Sequence, residues 1–198
     1  MTTTTTAAPT AVVFDLEPAA REVVRLLDGV SDARLDGPTP CEEFSVRDLL
    51  AHLLTLSAAF RDAAGKRTPA AGDGGLPVDW RRLLPRRLTE LTEVWRDADA
   101  WEGSTVAGGV TLPAGVAAQV ALDELVLHGW DLARATGQHF TCDRASLQVV
   151  YALLAPEADN PARSEIFGPV VDVPYGSPFL DRVVGLGGRD PKWAASRA

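Results

Sequence analysis

Glu124 and His128 stand four residues apart in the run Val120-Ala-Leu-Asp-Glu-Leu-Val-Leu-His-Gly-Trp-Asp-Leu-Ala-Arg-Ala-Thr-Gly137. In a helix that spacing sets both side chains on one face. Laid out at about 100° per residue, the helix carries Gln119, Asp123, Trp130 and Arg134 on one side and Ala121, Leu125, His128 and Leu132 on the other. His128 is therefore expected to point into the protein with Glu124 beside it. A buried carboxylate without a partner is costly, so a Glu at such a position requires a proton, an ion pair or a metal. His52 is a third group of the right type, on the flank of another helical stripe. Two imidazoles and a carboxylate match the ligand count of catalytic zinc sites, which keep a fourth position open. They also match the facial triad of non-haem iron, so ligand types alone do not name the metal. A Glu and a His at this spacing also arise by chance, and spacing alone leaves a structural role open.

Four long helical stripes must position these groups. The first runs from about Pro18 to Gly29, with Val23, Leu26, Leu27 and Val30 at helical spacing. Residues 31–43, rich in Asp, Gly and Pro, read as a loop. Ser45 followed by Asp48 resembles a capping box, and Phe44 and Leu49 are spaced as a hydrophobic staple. This second helix carries the stripe Leu49, Leu53, Leu56 and Phe60, with His52 on its flank. After a Gly- and Pro-rich connection over residues 65–77, Trp80, Leu84, Leu88, Leu91 and Trp95 define a third stripe. Pro85 interrupts it. An interior proline removes a backbone hydrogen bond at a cost of roughly 3 kcal/mol, so the expectation is a short leading turn with regular helix from near Pro85. Val106 and Val110 around Gly108-Gly109 read as a loop or small hairpin. The fourth helix stops at Gly137, and Asp143 caps a fifth carrying Leu147, Val150, Tyr151 and Leu154. Ser177-Pro178 opens a short helix through about Leu186, ending in Gly187-Gly188, and Trp193 is expected to pack back onto the bundle. The fold class is all-α, a four-helix bundle with short additional C-terminal helices.

Composition narrows the function. At 198 residues the chain suits one domain, here residues 14–198 behind a disordered tail over residues 1–13. No apolar run approaches the roughly 18 residues a membrane span needs. The net charge of −8 argues against a nucleic-acid or anionic-membrane partner, and Arg81, Arg82, Arg86 and Arg87 read as a solvated helix face. The start lacks a basic and an apolar region and so is not a secretory signal. Two cysteines, Cys41 and Cys142, form no disulfide framework, which fits a reducing cytoplasm. Cys41 reads as a buried structural thiol, with a redox or ligand role near the site as the alternative. His139 reads as a surface loop residue, and Trp130 as outward facing, under a loop or at a homodimer interface. Asp131, one turn after His128, is a candidate to orient a ligand from behind, with a cap or salt bridge as the alternative. Gly185-Leu-Gly-Gly188 lacks the strand and the Lys-Ser/Thr of a phosphate loop and reads as a helix terminus.

Two segments together are specific. Thr39-Pro-Cys-Glu-Glu-Phe-Ser-Val-Arg-Asp-Leu-Leu-Ala-His52 and Asp123-Glu-Leu-Val-Leu-His-Gly-Trp-Asp-Leu-Ala-Arg-Ala-Thr-Gly137 resemble the metal-binding N-terminal domain of mycothiol-dependent maleylpyruvate isomerase and its DinB-like relatives. Phe167-Gly-Pro-Val-Val-Asp-Val-Pro and Leu180-Asp-Arg-Val-Val-Gly-Leu-Gly-Gly-Arg-Asp-Pro-Lys-Trp193 are similar to a short branch of that family, so the resemblance covers about Ala19 to Trp193. It implies a DinB-like four-helix bundle binding a divalent metal, zinc first, with iron, nickel or manganese as alternatives. By motif, His52 corresponds to the ligand of the Asp-Leu-Leu-x-His segment, and Glu124 and His128 to those of the Glu-x-x-x-His segment. The implied activity is a thiol transferase or isomerase in which metal-activated mycothiol meets a small electrophilic substrate. The chain lacks the isomerase's additional C-terminal domain, so maleylpyruvate itself does not transfer. A thiol-free metallohydrolase or other metalloenzyme, and a non-catalytic metal or small-ligand binding protein, are the alternatives.

Overall fold

Short-range signals start and stop most of the helices. Ser45 caps the second helix with its side chain accepting from the Asp48 N–H, while Asp48 accepts from the Ser45 N–H in return. Asp143 caps the fifth by accepting from the Ser146 N–H, and Gly137 ends the fourth in the left-handed conformation at φ 72°. The computed structural model describes residues 13–68, 74–160 and 168–195. Its helices are α1 (Glu17–Leu27), α2 (Val46–Ala64), α3 (Trp80–Val94), α4 (Ala114–Thr136), α5 (Arg144–Leu154) and α6 (Phe179–Leu186). The tail expected over residues 1–13 falls outside the described residues except at Val13, as does the stretch 69–73 of the connection after α2.

α1 packs on α3 and α4, and α2 packs on the same two, which closes four helices into a bundle. Its centre is aliphatic: Val23, Leu26, Leu49, Leu53, Leu84, Leu91, Leu122 and Leu125 are fully enclosed. α5 lies against α4, and α6 against α5, as an extra layer on one side. Between α3 and α4 the ambiguous glycine segment forms an antiparallel hairpin, β1 (Ser104–Ala107) with β2 (Val110–Pro113). Gly108 and Gly109 both have positive φ, 58° and 79°, as the tight turn of a two-residue hairpin requires. Thr105 fastens the hairpin to α2 by donating its hydroxyl to Ala63 O at 2.6 Å.

Three expectations need correction. α3 does not begin near Pro85 but runs through it from Trp80. Pro85 lies in the second turn and forfeits one backbone bond, while Trp80, Leu84, Leu88 and Leu91 are all buried along the same face, so packing outweighs the local penalty. The side of α4 expected to be polar is covered: Asp123 is 1% exposed and Trp130 4%. α5 packs on α4, and the chain end reaches this side, with Arg134 Nε donating to Trp193 O at 2.9 Å. Trp130 is thus an interior residue under the Arg134 guanidinium, 5.7 Å from its ring centroid, and offers no dimer surface. The third correction is small, Pro178 and not Ser177 being the cap residue of α6. The arginine face of α3 is solvated as expected, and its members are also paired, Arg81 with Asp32, Arg82 with Asp79, and Arg86 and Arg87 with Glu90. Among the described residues no helix is long and apolar enough to cross a membrane.

Glu22 ties α1 to the segment after α4. Its carboxylate receives Arg25 Nε at 2.8 Å and Nη2 at 2.7 Å, and the Thr141 N–H at 2.8 Å. The Arg25 hydrogen bonds hold the Glu22 carboxyl below its ordinary range against the opposing effect of burial, with Thr141 adding to them. A carboxyl lowered in the folded state contributes stability above its unfolded value of about 4.5, and that stability disappears as pH falls through the folded value. Glu22→Gln should therefore cost about 1 kcal/mol at pH 7, with the difference from the parent protein closing at an acid pH below the folded value. Urea unfolding at the two pH values reads this; a difference that persists unchanged in acid would assign the loss to packing.

Candidate metal centre

α2 and α4 face one another so that His52, Glu124 and His128 converge, as the sequence led us to expect. His52 Nε2 and His128 Nε2 each lie 3.1 Å from the same oxygen, Glu124 Oε2. The candidate ligand atoms of the three residues all fall within 4.8 Å of one another, and among the described residues no other group of three His, Cys, Asp or Glu side chains does so. The side chains are graded in exposure: His52 is 33% exposed, Glu124 25% and His128 9%. The cluster is thus closed on the His128 side and partly open to solvent on the His52 side.

The lead-in to α2 sets one wall. Residues 37–45 are pinned to the helix start by Val46 N–H to Gly37 O at 3.0 Å, by Arg47 N–H to Leu35 O at 2.7 Å, and by the bridge between Pro38 and Ser45. The Thr39 hydroxyl lies 2.8 Å from Phe44 O and accepts from the Cys41 N–H at 3.1 Å. This brings the Phe44 ring against both imidazoles, its centroid 5.1 Å from that of His52 and 6.0 Å from that of His128. Sequence spacing marked Phe44 only as half of a staple; its place beside the histidines depends on the loop's long-range bonds.

Behind His128 the arrangement continues inward. His128 Nδ1 lies 3.0 Å from Asp131 Oδ2, and Asp131, wholly enclosed, also receives Arg189 Nη2 at 3.1 Å and Nε at 3.4 Å. Of the two readings open for Asp131, the contact with His128 and a buried ion pair both hold. Arg189 was missed in the sequence. The signal for it was indirect: an inward Asp131 requires a cation, and any basic residue near the chain end was a candidate.

Electrostatics follow from these contacts. Burial pushes the Glu124 carboxyl up, but hydrogen bonds from His128 and His52 outweigh it and hold the group well below the usual carboxylate range. Burial also pushes His128 down, and its bonds to Asp131 and Glu124 reverse this and raise it to about 9. Without a metal, Glu124 is a carboxylate beside an imidazolium at neutral pH. Cys41 is half-buried and outside the converging group, and burial pushes its thiol up, with Arg189 opposing. Cys142 is pushed up to about 12 by burial. Both are free thiols, and neither is a poised nucleophile. His139 is exposed, away from the cluster.

Comparison with known proteins places the chain by family and fold. The family model for the mycothiol maleylpyruvate isomerase N-terminal domain matches residues 16–133. Two uncharacterized proteins of Mycobacterium tuberculosis, from strains CDC 1551 / Oshkosh and ATCC 25618 / H37Rv, are each 29% identical over 178 residues, covering 83% of this chain and 90% of the relative. The crystal structures of the mycothiol-dependent maleylpyruvate isomerase and of a histidine-to-alanine mutant of it share the fold, with TM-score 0.57 at 20% identity over 70% of this chain. The match spans 66% of the isomerase chain, just under two thirds of its length.

Gly129, next to His128, lets α4 approach α1. A Cβ there would stand 2.9 Å from Phe140 Cε2 and 3.1 Å from Val23 Cγ2, and both neighbours are buried. In an exposed helix, Gly→Ala gains about 1 kcal/mol, whereas overpacking a core costs about 1–3 kcal/mol. Gly129→Ala should be net destabilising by up to about 2 kcal/mol from these two terms, read as a lower urea midpoint. A higher midpoint would mean that Phe140 swings aside freely.

Proposed function

The chain belongs to the mycothiol maleylpyruvate isomerase N-terminal domain family, and from that premise we propose that His52, Glu124 and His128 hold a divalent metal that activates a low-molecular-weight thiol, mycothiol, toward a small electrophilic substrate, by transfer or isomerisation. The observation that carries this reading is the single carboxylate oxygen of Glu124 standing 3.1 Å from both Nε2 atoms. Zinc bonds of about 2.0–2.1 Å at a tetrahedral angle put ligand atoms about 3.3 Å apart, so the two spacings fit a shared ion. Two nitrogens and an oxygen suit zinc; iron, nickel and manganese compete for the same donors.

A metal in that position supplies a Lewis acid with an open coordination site, which favours the deprotonated form of an incoming thiol. The protein's part is orientation and access. Asp131 engages Nδ1 of His128, so that Nε2 is the nitrogen turned to the site. Phe44 lies against both rings and keeps water from one side, while the partly exposed edges of His52 and Glu124 leave the approach for thiol and substrate. A reduced thiol cofactor puts the reaction in the cytoplasm. Maleylpyruvate is not carried over, since the chain corresponds to only part of that isomerase.

Metal content by elemental analysis should be close to one zinc-type ion per chain in the purified protein. His52→Ala, Glu124→Gln and His128→Ala should each weaken metal binding by more than the roughly 10–100-fold typical of residues behind the ligands, while His139→Ala binds as the parent does. Glu124→Gln keeps its shape, so it should remain folded with the melting temperature of the metal-free protein; unaltered stoichiometry and affinity in that variant would take Glu124 out of the site.

Mycothiol added to the metal-loaded protein should accelerate conjugation or isomerisation across a panel of reactive electrophiles, because a free thiol is mostly protonated at neutral pH. Equal rates with and without the thiol would sink the thiol reading and leave the metal reading to stand on the binding measurements.

A further inference from the structure

Arg189 lies outside the stretch matched by the family model, which ends at residue 133, yet it reaches the buried side of the site. It is 8% exposed, and its guanidinium spans the Asp131 carboxylate, Nη2 to Oδ2 at 3.1 Å and Nε to Oδ1 at 3.4 Å, with Nη1 donating to Gly187 O at 2.6 Å. The same Oδ2 lies 3.0 Å from His128 Nδ1. The turn that aims Arg189 is specific. α6 closes with Arg189 N–H bonded to Val184 O at 2.9 Å and Gly188 N–H to Gly185 O at 3.0 Å, the paired bonds of a Schellman terminus. Gly188 has φ 81°, and a Cβ on it would stand 2.9 Å from the Gly168 backbone. The glycine-rich end of α6 therefore directs the next side chain back into the bundle.

We infer that Arg189 is a positioning residue of the metal centre: by holding both oxygens of Asp131 it fixes the His128 ring with Nε2 toward Glu124, and so sets how tightly and in what geometry the three ligands take a divalent ion. The inference rests on the metal-site reading proposed above. A carboxylate held at two points cannot rotate about its terminal bond, so its acceptor for His128 Nδ1 stays in one place. With a single donor it could turn, and the imidazole would turn with it. Groups behind a metal-bound histidine orient the ring and fix its tautomer in this way. Lysine would keep the charge but not the planar two-point hold.

The test uses the full chain stripped of metal, as parent, Arg189→Lys, Arg189→Met and His52→Ala. Zinc affinity is read by competition with a chromophoric chelator, ligand geometry by the visible spectrum of bound cobalt(II), and folding by the melting temperature without metal. Both Arg189 variants should bind zinc about 10–100-fold more weakly and shift the cobalt spectrum, with lysine recovering part of the affinity. A lowered melting temperature with parental affinity and spectrum would reduce Arg189 to a structural clamp and overturn the inference. If Arg189→Met does not fold, Arg189→Lys decides by the same readouts. His52→Ala separates the two levels of argument. If it loses zinc while the Arg189 variants keep it, only the role of Arg189 fails. If it binds like the parent, or the parent binds neither ion, the ligand set is wrong and the inference falls with it.

Discussion

The structure is organised around two of the carboxylates on one buried helix, Glu124 and Asp131, whose charges must be compensated. Glu124 and Asp131 project from α4 on either side of His128, and α4 is enclosed along most of its length. Removing a charge from water costs several kcal/mol even after the protein relaxes, far more than a single helix returns by propensity. Each carboxylate is met from a different part of the chain: Glu124 by His52 of α2, and Asp131 by Arg189 after α6. The result is an alternation, imidazole, carboxylate, imidazole, carboxylate, guanidinium, running from the open face of the bundle to its interior.

That alternation accounts for features that a plain four-helix bundle does not need. Four helices suffice to bury the aliphatic stripes of α1, α2 and α3, but they leave the remaining side of α4 in water. α5 lies on it, α6 lies on α5, and the end of the chain returns across Arg134 and Trp130. The extra layer lowers the dielectric around Asp131 and at the same time delivers the cation that makes its burial tolerable. The outer helices and the Arg189 contact are therefore parts of one solution, since either alone would leave an uncompensated charge or an exposed apolar face.

What the sequence disclosed and what it hid divide along the range of the interactions. The Ser45 box, the Asp143 cap and the Gly137 stop are settled within a few residues and were legible, while the Gly108-Gly109 segment read equally as a loop or a hairpin. The register of Glu124 with His128 was legible for the same reason, and with the family resemblance it pointed to His52 across the bundle. Pro85 misled because a local rule was applied where four buried side chains outvote one missing hydrogen bond. Asp123 and Trp130 misled because a helical wheel separates faces by polarity and cannot know that a second layer covers the far side. Arg189 was missed, with only an indirect signal, because its partner lies 58 residues away, brought near by a tail whose course depends on glycine contacts between distant backbones.

The division has a chemical consequence. The three candidate ligands lie inside the stretch the family model matches, and the cation behind them lies outside it. Ligand identity determines whether an ion can bind at all. The field behind His128 determines how firmly the imidazole is held and how much negative charge it passes to an ion. Chains with the same His, Glu and His can therefore differ in metal affinity and in the acidity of whatever the metal binds, through what their C-terminal segments set against the aspartate. In this chain the Arg189 guanidinium is committed to Asp131 and Gly187 O, on the side of His128 away from Glu124. The opposite side of the cluster is built differently, from the Phe44 ring and the partly exposed His52 at the start of α2.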